Sequence, residues 1–130
     1  MRLLLALTAL AGVAVSVDRL TVDGLELRAL RCDLSSGGLL APMAVAGSLA
    51  AQRPALDACA PAGAAFELTW TWGAAPAHKV LRSSLPAADA CVAKALAAAK
   101  PAATGTCSAI VLVGDPAAAA KAADALAAPR

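Results

Sequence analysis

Ala65-Phe66-Glu67-Leu68-Thr69-Trp70-Thr71-Trp72 decides the fold. Phe66, Leu68, Trp70 and Trp72 alternate with Glu67, Thr69 and Thr71, the period of a strand with one buried face. Downstream, Gly73 to Pro76 makes a short turn, and His78 to Ser84 returns as the second arm of a hairpin. Pro86 then opens a helix on which Ala88, Cys91, Val92, Ala95, Leu96 and Ala99 share one face, which predicts a core-facing Cys91. Beyond a Pro101 to Thr106 linker, the apolar run Cys107 to Val113 reads as a further strand ended by Gly114.

Upstream of the deciding stretch, Pro42 suits the first position of a helix. Val45, Leu49, Gln52, Leu56 and Cys59 follow at steps of four and three. Pro54 should kink or split that helix, and Pro61-Ala62-Gly63 ends it. Ser35 to Gly38 is a loop. Before it, Leu25 to Cys32 alternates apolar with charged residues as a half-buried strand, and Asp23-Gly24 can fold Leu20 to Val22 onto it as a small hairpin. At the other end Asp115-Pro116 can cap an alanine-rich helix to about Ala128. With so few large residues, 115–130 is expected as a helical or disordered tail that docks weakly.

The chain opens with Met1-Arg2 and the apolar stretch Leu3 to Val15, which is signal-peptide length and too short to span a bilayer. Small residues at Ala14 and Ser16 predict cleavage near Ser16, giving a leader over 1–16, a domain over 17–114 and the tail. The expected location is the periplasm or the outside of the cell, with no permanent membrane span after cleavage.

The order of elements, β-α-β-β-α-β, predicts an α+β domain: one antiparallel sheet with both helices packed on one face, in a ferredoxin-like manner. Such a sheet sets the Cys32 strand beside the Cys107 strand. It also brings the end of the first helix, at Cys59, to the start of the second, at Cys91. Four cysteines allow three pairings, and this topology selects Cys32–Cys107 with Cys59–Cys91 nested inside it. Each link contributes roughly 3 to 5 kcal/mol in the chain-entropy model. The composition makes that contribution matter: 60% of residues are hydrophobic, but 39 of the 130 are alanine, and large core formers are few.

The net charge of +2 is scattered singly, which argues against a nucleic-acid footprint. Cysteine gaps of 27, 32 and 16 residues offer no C-x-x-C pair, so neither a metal, a cofactor nor a thiol redox centre is expected. His78 has Ser83 and Ser84 nearby in sequence but no G-x-S-x-G elbow, and it sits at the opposite end of one strand from Ser84. An enzyme is therefore not the expectation. Trp70 and Trp72 share a face with Phe66 and Leu68, which reads as core; a sugar or peptide platform is the alternative.

Pro54 five residues before Cys59, the Phe66 to Trp72 strand and its hairpin, and Leu81-Arg82-Ser83-Ser84-Leu85-Pro86 running into Ala90-Cys91-Val92 form a combined pattern. Over about residues 45–101 it resembles the AgmX/PglI C-terminal domain, a TonB-C-like envelope domain. The resemblance implies a non-enzymatic periplasmic module that contacts an envelope protein partner. A strand edge open to augmentation is the expected means, and a small-ligand or peptide binder using the sheet face is the alternative.

Overall fold

The computed structural model describes residues 13–35, 40–73, 76–100 and 103–128. Five strands form one antiparallel sheet: β1 (Val13–Val22), β2 (Leu25–Leu34), β3 (Ala64–Trp72), β4 (Ala77–Ser83) and β5 (Gly105–Val113). Their order across the sheet is β1-β2-β5-β3-β4. The helices among the described residues are α1 (Ala41–Ala50), α2 (Arg53–Cys59), α3 (Asp89–Ala97) and α4 (Pro116–Ala127). The α+β class and the antiparallel sheet follow the sequence expectation; the ferredoxin-like strand order does not, because that order sets β4 beside β2, whereas here β5 lies between β2 and β3 and β4 is the far edge. The middle of the sheet is β5, with β2 on one side of it and β3 on the other.

The deciding stretch sits next to that centre. Phe66, Leu68, Trp70 and Trp72 all face the core with Leu56 of α2 and Val92 and Leu96 of α3. α1, α2 and α3 cover this one face. Pro54 splits the predicted long helix: it lies in the first turn of α2, where a missing N–H costs nothing, and Ala51-Gln52 forms the turn before it.

β2 shows how a sequence irregularity becomes geometry. Its core residues run Leu25, Leu27, Leu30, Cys32 and Leu34, so the two-residue alternation gains one residue between Leu27 and Leu30. The structure absorbs it as a bulge: the register with β5 slips between Arg28 and Arg31, and Ala29 takes φ 52°. Without that bulge the second half of β2 would turn its apolar residues away from the core.

Three expectations need correcting. The hairpin arm read as Leu20 to Val22 begins nine residues further down the chain's N-terminal side than Val22, at Val13, so the boundary drawn after Ser16 falls inside β1; residues 1–12 of the leader lie outside the described residues. Asp23 and Gly24, with φ 48° and 82°, form the two-residue turn that suits the strand twist. Second, the 115–130 segment is not weakly docked where described. α4 packs on the opposite sheet face, burying Ala119 and Ala123 against Ala65, Ile110 and Leu112. Alanines leave the helix backbone free to approach the sheet closely, and Asp115 caps it by accepting from the Ala118 amide at 3.0 Å. Arg28 adds a bond to Asp124 at 2.7 Å, and Asp57 accepts from the Gly114 amide at 2.9 Å. Third, Cys91 is exposed. The buried stripe of the α3 region is Ala88, Val92, Ala95, Leu96 and Ala99, and Cys91 lies about 100° round the helix from Val92, on the flank turned to α2.

Candidate functional site

All four cysteines are consumed in two disulfides. Cys32 and Cys107 are directly opposed residues of β2 and β5, with Cα atoms 4.1 Å apart, and both are buried. Cys59 and Cys91 join the end of α2 to the start of α3, with Cα atoms 5.7 Å apart. These are the pairs the element order selects. No thiol is left for redox or ligand chemistry, and among the described residues no group of three or more His, Cys, Asp and Glu side chains gathers in metal-binding proximity.

The residues weighed for catalysis do not converge. His78 opposes Trp70 near one end of β4, whereas Ser83 opposes Phe66 at the other. The Ser83 hydroxyl donates to Asp89, and the Ser84 hydroxyl accepts from the Ala65 amide at 3.0 Å. His78 Nε2 is shielded from solvent and has no hydrogen-bond partner among the described residues. Burial lowers the His78 pKa from 6.5 because the charged imidazolium is the form that loses hydration.

The indoles of Trp70 and Trp72 meet edge to face, their centroids 5.6 Å apart. Trp70 is 1% exposed and Trp72 6%. Trp72 Nε1 donates to the Ala99 carbonyl at 3.1 Å, which ties the end of β3 to the segment after α3. A cavity of about 560 Å³ opens at this end, with Trp72, Pro76, His78, Ala99 and Ala103 among its walls; Trp70 is not one of them. A stacked pair of tryptophans facing a ligand is therefore not what the fold builds. The open part of the other face is polar: Ser16 accepts from Arg31 at 2.8 Å, the Thr71 and Thr106 hydroxyls lie 3.2 Å apart, and a shallow groove of about 330 Å³ runs beside Thr69 and Ser108.

The two sheet edges differ sharply. β4 is seven residues long, carries Lys79 and Arg82, and is bulged, with Leu81 as its extra residue where the register to β3 slips. Short length, cations and bulges are the devices that keep an edge from pairing. β1 has none of the length or bulge protection. It runs ten residues against β2 with no slip from Val13↔Leu34 to Val22↔Leu25. Its Val15, Val17, Leu20 and Val22 pack against the core but remain only partly buried, because no further strand among the described residues covers them. Asp18 and Arg19, at its middle, are exposed. The β1 edge is thus a long row of backbone donors and acceptors, interrupted at Asp18 where no pair to β2 forms, beside a half-covered apolar row. The alternation that reveals it, Val13-Ala14-Val15-Ser16-Val17, is present in the sequence but is masked by the apolar run of the leader.

No protein-family model, curated protein or solved structure matches the chain. Among the described residues no helix is long and apolar enough to cross a membrane. Two disulfides suit an oxidising compartment, the periplasm or the extracellular space.

Proposed function

We propose that this chain is an exported, non-enzymatic interaction domain of the bacterial cell envelope that takes up a protein partner by strand addition along β1. The observation that carries the reading is the contrast between the edges: β4 is short, bulged and cationic, while β1 is ten residues long, keeps one register offset on β2 and is flanked by half-buried Val15, Val17, Leu20 and Val22. An added strand would satisfy the outward backbone groups and complete the cover over those four side chains. The placement in the envelope rests on the AgmX/PglI and TonB-C-like resemblance together with the disulfides.

The same reading moves the processing site. Cleavage after Ser16 would remove Val13 to Ser16 and with them the pairing to Arg31 to Leu34. The exported protein is therefore expected to retain Val13 to Ser16. A photo-crosslinking residue at exposed Thr21, introduced in cells of the source organism, is expected to capture a protein through this edge. Absence of any crosslink, or an exported protein whose N-terminus is Val17, would refute the proposal.

A further inference from the structure

The β1 edge is complementary to itself, and we infer that its partner strand is β1 of a second copy of this chain, paired antiparallel about a two-fold axis between Asp18 and Arg19. This rests on the reading that β1 receives a strand, and it names that strand.

In an antiparallel pair, residues directly opposite each other lie on the same sheet face. A two-fold axis perpendicular to the sheet keeps each residue on its own face, so a perfectly alternating strand could pair with itself only about a residue, never between two. β1 does not alternate perfectly. Val15 and Val17 pack on the core, and so do Leu20 and Val22, so the facing changes step at Asp18-Arg19. The step is matched in β2, where Leu30 opposes Val17 and Leu27 opposes Leu20.

That step allows the axis to pass between residues 18 and 19, and the pairs it generates are consistent throughout. Val17 meets the partner's Leu20, and Val15 meets the partner's Val22, all on the core face. Ser16 meets the partner's Thr21 on the polar face. Asp18 meets the partner's Arg19, and the symmetry repeats each pair. Sliding the pairing by one residue in either direction sets Val17 opposite an arginine or a threonine and separates the acid from the base. Asp18 and Arg19 therefore act as more than guards of an exposed edge: an acid–base couple admits its own copy and disfavours a strand lacking the complement. The product is a continuous ten-stranded sheet, in which the half-buried row of one chain meets that of the other. It is an isologous contact that closes on itself and does not propagate into a filament.

The test uses the oxidised protein with Val13 retained, studied by sedimentation over a range of concentrations. The wild type is expected at the mass of two chains. Asp18→Arg sets two arginines against two across the axis, and Arg19→Asp sets two aspartates against two, so each variant alone should be a monomer at concentrations where the wild type is dimeric. Mixing the two variants restores opposite charges at both positions and should return the mass of two chains. Disulfide mapping and circular dichroism confirm that each variant is folded, so loss of assembly is not loss of structure. A monomeric wild type, or a dimer indifferent to both reversals, overturns the self-pairing. In that event a Thr21 crosslink to a different protein would leave the broader edge reading standing, and no crosslink at all would remove both.

Discussion

Removing the two disulfides one at a time should cost different amounts, and the structure says which costs more. Cys59→Ser with Cys91→Ser opens a loop of 32 residues, which restores about 3.7 kcal/mol of conformational entropy to the unfolded chain. Cys32→Ala with Cys107→Ala opens a nominal loop of 75 residues, but the intact inner link shortens the connecting path to about 43, giving about 4 kcal/mol. Entropy alone nearly equalises them. Burial separates them, because Cys32 is 4% exposed and Cys107 1%, both within the core, whereas Cys91 is exposed on a helix flank. Deleting two packed sulfurs adds about 1 kcal/mol each through lost contacts and a residual void. The outer pair should therefore cost about 6 kcal/mol against about 4 for the inner pair. With a urea dependence of about 2 kcal/mol per molar, the two variants should unfold about 1 M apart. The assay is equilibrium urea unfolding of both oxidised variants at pH 7, accompanied by alkylation mapping of the wild type under mild reductant. Cys59–Cys91 should open first, while Cys32–Cys107 resists until the sheet unfolds. Equal midpoints, or an inner variant less stable than the outer one, would refute the reasoning.

Two further outcomes are expected from single substitutions. His78→Phe keeps a strand-compatible ring on β4 and removes a shielded, unpartnered nitrogen, so thermal or urea unfolding at pH 7 should show a gain of about 1 kcal/mol. Because burial lowers the His78 pKa in the folded state, the unfolded chain binds the proton more readily below about pH 6.5, and wild-type stability falls as the pH drops through that range. The Phe variant should lack that part of the fall; an unchanged pH profile would show that the imidazole is not shielded. Ala123→Asp places a carboxylate at a fully buried contact between α4 and the sheet, and should cost more than about 2 kcal/mol. Hydrogen exchange should then show Pro116 to Ala127 losing protection ahead of the sheet, whereas full protection would mean that the helix is held by something other than Ala119 and Ala123.

The candidate site was only partly legible in the sequence. The charged pair Asp18-Arg19 is plain there as the point where the apolar run stops, and the Asp23-Gly24 turn announces a hairpin. What hides the first half of β1 is that valine and alanine serve equally in a leader and in a strand, so composition masks a period of two. The facing of Cys91 is illegible for a related reason: on a helix made mostly of alanine, several faces look apolar, and only the neighbouring helix decides which one is inside. The docking of α4 is hidden in the sequence because a count of large side chains measures the area each can bury and takes no account of how closely a bare helix can approach a sheet.

By itself the sequence determined the α+β class, the strand at Phe66 to Trp72, the break at Pro54 and, through the order of elements, both disulfide pairs. These depend on local periodicity, on proline geometry and on which chain ends a β-α-β-β-α-β order brings together. Only the tertiary structure decided that β5 is central, that α4 closes the second face and that β1 is the long unprotected edge. Strand order and edge exposure are relations between segments far apart in the chain, set by which apolar faces can be covered together, and no local pattern carries them.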